Sequence, residues 1–166
     1  MNFNPHWELY DRHAIFSASK YHWINYDDDK LLAAYHNSKM AERGVRIHDL
    51  AKEHILLGIK MPTTKTALNM YVNDAIGYKM TPEQPLYYSE FFFGTCDAIS
   101  FRKNKLRIHD LKTSVTKGHL NQLLVYTSLF CLEYDIKPSD IEIELRIYQQ
   151  DELGALEILG HLPEVD

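Results

Sequence analysis

Three charged side chains in short, otherwise apolar stretches are the first candidates for chemistry. Asp97 lies in Gly94-Thr95-Cys96-Asp97-Ala98-Ile99, and after twelve intervening residues comes Asp110-Leu111-Lys112. A strand interior is a costly place for a carboxylate unless it is paired, hydrogen-bonded or bound to a cation. Strand side chains alternate, so Asp110 and Lys112 point the same way, and a hairpin at Arg102-Lys103-Asn104 allows Asp97 to lie beside Asp110. Two converging carboxylates repel. A hard divalent cation such as Mg²⁺ or Mn²⁺ relieves that repulsion and also binds phosphate oxygens. A lysine at the rim can orient an attacking water or offset charge developing on phosphorus. The plainer reading is a surface Asp–Lys pair beside an unrelated acid, because Asp-x-Lys tripeptides are common. The apolar setting and the upstream Asp97 favour the site.

The elements that must hold these residues follow from period and punctuation. Asp27 or Asp28 can cap a helix through Lys30–Tyr35, its acids complementing the dipole. Gly44 opens a second helical pattern in which Val45, Ile47, Leu50, Ala51, Ile55 and Leu57 recur until Gly58. A third helix covers about 67–76. After Pro82 and Pro85 the period shortens: Leu86–Phe93, Gly94–Phe101 and Lys105–Thr113 read as strands. Helical spacing returns from Lys117 to Tyr134. Ile141, Ile143, Leu145 and Ile147 then alternate with polar residues as in a half-buried strand, and the tail around Ala155–Leu159 can add an edge strand. The order α-β-β-β-α-β predicts one α/β domain over 1–166, a mixed central sheet flanked by helices. Its helical part covers about 1–80 and its sheet core about 86–150. The N-terminal aromatics Trp7, Tyr10, Phe16, Tyr21, Trp23 and Tyr26 read as core.

On these elements the chain resembles the PD-(D/E)XK nuclease superfamily, in its RecB-like and phage-exonuclease branch, and so a restriction-endonuclease-like core. The matching residues are Gly94 and Asp97, then Asp110-Leu111-Lys112-Thr113-Ser114, then Gln122 and Tyr126 four apart on one helical face. Gly44-Val45-Arg46-Ile47-His48 is similar to the branch's Gly-x-x-x-His helix, and Phe16-Ser17-Ala18-Ser19 more loosely to its Ser-x-Ser opening. The resemblance implies that His48, Asp97, Asp110 and the Leu111 carbonyl hold one or two Mg²⁺ or Mn²⁺ ions. It also implies catalytic roles for Asp97, Asp110, Lys112, Gln122 and Tyr126. The expected reaction is hydrolysis of DNA phosphodiesters, as an exonuclease in recombination, repair or phage DNA processing. The alternative is a catalytically idle accessory or inhibitor protein on the same fold. Cys96 stands where many members carry proline. Members with an iron–sulfur cluster need four cysteines and this chain has two, Cys96 and Cys131, so no cluster is expected.

Composition narrows the partners. At 45% hydrophobic and 25% charged residues, the 166-residue chain has the balance of a globular domain rather than a disordered one. A net charge of −5 argues against coating nucleic acid by bulk electrostatics. Positive charge is local: Arg102, Lys103, Lys105, Arg107, Lys112 and Lys117 stand against only Asp110 between residues 101 and 120. Of these, Arg102, Lys103, Lys105 and Lys117, together with Ser17 and Ser19, are the expected DNA contacts. The acidic remainder suggests a protein partner or self-association. The chain shows no span long enough for a bilayer and no apolar N-terminal leader, which predicts a reduced intracellular setting; the resemblance implies the cytoplasm of a bacterial or phage-infected cell.

Overall fold

In a computed structural model, residues 4–9, 14–114, 116–150 and 156–161 are described, the last six as backbone only. The chain divides into two compact units, Met1–Arg43 and Gly44–Asp166.

The first unit contains 3₁₀ turns at Trp7–Leu9 and Ala18–Asn25 and the start of helix α1 (Asp28–Leu57). The Asp27 carboxylate accepts from the Lys30 amide at 2.9 Å, the expected cap, and Asp28 and Asp29 follow in the first turn. The aromatics do not form the expected core. Phe16 and Trp23 pack together and the Trp23 indole N–H donates to the Ser17 carbonyl, whereas Trp7, Tyr21 and Tyr26 are exposed. Tyr10 lies outside the described residues. Between residues 14 and 26 only Ala14, Ile15, Ala18 and Ile24 are apolar and not aromatic, few to cover the rings there.

The second unit is an α/β fold. It holds α1 from Gly44 onward, α2 (Ala67–Gly77), β1 (Thr81–Ser89), β2 (Phe92–Arg102), β3 (Lys105–Leu111), α3 (Asn121–Glu133), β4 (Glu142–Gln150) and β5 (Leu156–His161). The strands form one mixed sheet in the order β1-β2-β3-β4-β5, antiparallel throughout except for the β3–β4 pair. A parallel pair needs a long crossover, and α3 supplies it. Its Leu123, Leu129 and Phe130 pack on Leu106, Ile108, Leu145 and Ile147 from one face. Ala51 and Ile55 of α1, with Tyr71, Val72 and Ala75 of α2, pack on Ala98, Leu111 and Tyr148 from the other. Each fully buried Leu or Ile contributes about 1.5–3 kcal/mol. No helix among the described residues is long and apolar enough to cross a membrane.

Three boundaries differ from the sequence reading, each for a local reason. Gly44 does not open a helix; α1 runs through it unbroken, and a Cβ there would stand 2.8 Å from the Thr113 hydroxyl. The glycine marks a close approach to the segment after β3. Strand β1 begins at Thr81, not Leu86, and contains Pro82 and Pro85. It lies at the sheet edge, where a missing N–H costs no ladder bond. Helix α3 starts at Asn121 rather than Lys117, and the intervening loop is held by side chains described below. The β2–β3 hairpin turns on Lys103 and Asn104, both with positive φ (+50° and +58°), the signature of a type I′ turn. The tail forms edge strand β5; Ala155 lies outside the described residues.

Candidate functional site

Strand β2 reaches Asp97 through a break in its alternation. Cys96 packs in the core under α3, yet Ala98, two residues on, packs in the core under α1 and α2. Regular pleating would put both on one face, so the side-chain order slips by one at Asp97. On neighbouring β1, Glu83 has φ +46°, the left-handed region that a non-glycine residue rarely adopts. This irregular pair of strands turns the Asp97 carboxylate out of the regular pleat. It lies 3.6 Å from His48 Nδ1 on α1 and accepts from the Leu111 amide at 2.9 Å.

Across the ladder, Ala98 pairs with His109, which brings Asp110 to the step beside Asp97. Asp110 is 3% exposed. Its Oδ2 atom is buried without an aligned hydrogen-bond donor among the described residues, and the Lys112 ammonium lies 2.9 Å from it. Lys112 also donates to Gln122 Oε1 at 3.0 Å, and Gln122 Nε2 donates to the Tyr126 hydroxyl at 3.1 Å. One chain of contacts thus runs Asp110–Lys112–Gln122–Tyr126 from β3 onto α3. Gly94 makes room for it, since a Cβ there would meet the Tyr126 ring at 3.0 Å.

Electrostatics separate Asp97 from an ordinary surface acid. Burial, and next the Asp110 carboxylate, push it up to about 6, against the Leu111 N–H, His48 and Lys112, which favour the charged form. Tyr71 lies beneath, 2% exposed, its pKa raised by burial and then by Asp97 and Asp110. His48, Lys52, Tyr71, Pro82, Glu83 and Asp97 enclose a cleft of about 10 Å³, near the least space that holds one water. Glu83 makes a short ion pair with Lys52.

The other expected residues fall in several places. Arg102, Lys103 and Lys105 lie on the β2–β3 hairpin, at the opposite end of β3 from Asp110 and five residues along β2 from Asp97. Lys105 is engaged by Glu142 and Glu144 at 3.5 and 3.4 Å. Lys117 is exposed in the loop before α3. Ser17 and Ser19, their hydroxyls 3.3 Å apart, belong to the first unit. Glu53 and Glu90, two further acids near the proposed site in sequence, are exposed, Glu90 in the turn between β1 and β2. Cys96 and Cys131 are free and buried, and burial pushes the Cys96 thiol up to about 12, which makes it inert.

Sequence reasoning missed three neighbours. Glu83 carried no helical or alternating signal, and Tyr71 read only as one apolar residue of α2. Gln149, 2% exposed on β4, accepts from the Gly118 amide at 2.9 Å and donates to the carbonyls of Ser114 and Thr116. It staples the loop that follows Lys112. A polar residue at an inward strand position was the available signal.

Among the described residues no group of three His, Cys, Asp or Glu side chains stands close enough together to hold a metal ion. The donors nevertheless suit a hard cation in kind: a buried carboxylate oxygen beside the Lys112 ammonium, a second carboxyl whose charge is disfavoured, and an imidazole beside it. No family model matches the chain, and no curated protein or solved structure matches it.

Proposed function

We propose that this chain is a metal-dependent DNA nuclease with a restriction-endonuclease-like core, acting as an exonuclease in recombination, repair or phage DNA processing. The observation that carries the reading is the Asp97–Asp110 pair, two carboxyls on adjoining strands with Lys112 in contact with one of them and His48 near the other. Asp97, Asp110 and His48, with the Leu111 carbonyl, would hold Mg²⁺ or Mn²⁺, which supplies Lewis acidity for in-line attack of water on a phosphodiester. Lys112, anchored through Gln122 and Tyr126, holds its ammonium where it can orient that water and offset negative charge on the phosphoryl oxygens. The hydrogen bond from the Leu111 amide fixes the Asp97 carboxylate, so it needs little reorganisation on binding a cation.

A second reading is favoured by the absence of three converging donors among the described residues. It is a catalytically idle protein of the same architecture that binds nucleic acid or a protein partner.

The two are separated by incubating the protein with linear and with circular DNA, in Mg²⁺, in Mn²⁺ and in chelator. The enzyme reading expects metal-dependent loss of linear DNA. That loss should be abolished by Lys112→Ala and by Asp110→Ala in variants whose circular dichroism shows them folded. Salt-sensitive binding with no cleavage in either metal sinks the catalytic reading and leaves the binding one. Cleavage that survives both substitutions assigns the activity to other residues.

A further inference from the structure

At the hairpin end of β2 and β3, a second cleft of about 350 Å³ opens between the turn and the C-terminal end of α2. That volume lies in the range of small-molecule pockets, about 300–1,000 Å³. Five cations line it: Lys79, Arg102, Lys103, Lys105 and Arg107. Glu142 lines it too, and Glu144 reaches Lys105 and Arg107 at 3.4 Å each, so five positive charges meet two negative ones. A local excess of three in a chain of net charge −5 is a concentrated field.

Two further observations point to a ligand. Among the described residues Lys79, Arg102 and Lys103 have no acidic partner, so their charges are directed at solvent in the cleft. Arg107 differs: its guanidinium lies over the Tyr78 ring, 4.3 Å from the centroid, and its buried Nε faces Glu144 at 3.4 Å, so it is held in place. The backbone adds a separate signal. Lys79 closes α2 in the left-handed conformation, φ +53°, with the Lys79 and Met80 amides donating back to Ile76 and Ala75. Lys103 holds the same conformation in the hairpin, φ +50°. Glycine suits both positions better. Two unrelated turns thus each place a lysine where glycine is preferred, and both lysines border the same cleft. Strain of this kind gathers where a side chain is needed.

We propose that this cleft is a phosphate-binding site, separate from the Asp97–Asp110 pair, for a ligand bearing two or more adjacent phosphates. From Asp97 to Arg102 is five residues of strand, about 16 Å at the usual strand rise. The cleft is therefore too remote to hold the phosphate that the acidic pair would act on. Stacked Arg107 supplies the fixed fork, Lys79 and Lys103 the mobile charges from either side, and Glu142 and Glu144 hold Lys105 in position.

The test is calorimetric titration of the metal-free 166-residue chain with pyrophosphate, and separately with a ten-nucleotide single strand. Both titrations are repeated on the Lys79→Gly/Lys103→Gly double variant. The double variant should melt at the same temperature as the parent or higher, since both turns relax, yet bind pyrophosphate at least tenfold more weakly. If the oligonucleotide loses affinity in parallel, nucleic-acid backbone is a source of the phosphate. If only pyrophosphate does, the source is a small phosphorylated molecule. Absence of saturable pyrophosphate binding, or equal affinity in parent and double variant, overturns the proposal.

Discussion

Replacing Asp97 by asparagine should stabilise the metal-free protein at pH 8. In the unfolded chain Asp97 ionises near 3.8, and in the fold near 6. Folding therefore disfavours its charge. The stabilising contribution is complete below 3.8 and disappears as pH rises through about 6. The gap corresponds to roughly 3 kcal/mol at about 1.4 kcal/mol per pH unit. The side chain is 23% exposed, so solvent screens part of it. Asparagine still accepts from the Leu111 amide but loses the charge assistance, about 1 kcal/mol. A net gain of about 1–2 kcal/mol remains, which in a chain of this size raises the melting temperature by about 2–8 °C. Thermal unfolding in excess chelator at pH 8 and at pH 4 is the assay. The gain should be present at pH 8 and absent at pH 4, where the native carboxyl is already protonated. Adding Mn²⁺ at pH 8 should then stabilise the wild type by several degrees and leave Asp97→Asn unmoved. A variant less stable than wild type at pH 8, or equally stabilised at both pH values, would refute the claim that burial and Asp110 strain this carboxylate.

Two further substitutions probe what surrounds the site. Gly44→Ala, which in an exposed helix interior would add about 1 kcal/mol of stability, should instead cost about 1–3 kcal/mol because the new methyl meets the Thr113 hydroxyl; Thr113→Ala in the same chain should restore most of it, read by urea unfolding. Glu144 is held down at about 2, first by its hydrogen bond from His109 and then by Arg146 and Arg107, so its contribution is present above 4.5 and is lost as pH falls through about 2. His109, whose pKa burial lowers, adds a loss that starts below 6.5. Glu144→Gln should cost about 2 kcal/mol at pH 7, discounted for screening, and flatten the acid limb of the stability curve between pH 4.5 and 2. An acid limb as steep as that of the wild type would count against this network.

What was readable in the sequence was what local chemistry dictates. Alternation located β4, the Arg102-Lys103-Asn104 turn located the hairpin, and the spacing of Asp97 from Asp110 across that turn put two carboxyls on adjoining strands. The four-residue spacing of Gln122 and Tyr126 put both on one helical face; the bond from Lys112 to Gln122 came only with the fold. What could not be read depended on three-dimensional neighbours. Gly44 looked like punctuation because nothing local reveals that Thr113 passes within reach of it. Pro82 and Pro85 looked like strand breakers because edge position is a property of the whole sheet. The slip at Asp97 depends on Glu83 in a different strand, and Gln149 acquires its role only when β4 lies beside the loop after β3. The N-terminal aromatics misled for the converse reason: composition alone does not say what covers a ring.

The Gln149 staple makes the order of synthesis matter. Asp97, Asp110 and Lys112 all leave the ribosome before Gln149, and until that amide arrives the carbonyls of Ser114 and Thr116 and the Gly118 amide lack their partner. A nascent chain ending before β4 carries every acidic and basic group of the site on a tether that is not yet fastened. Fastening of the loop after Lys112 is thereby tied to the arrival of β4 beside β3, the one parallel pairing of the sheet.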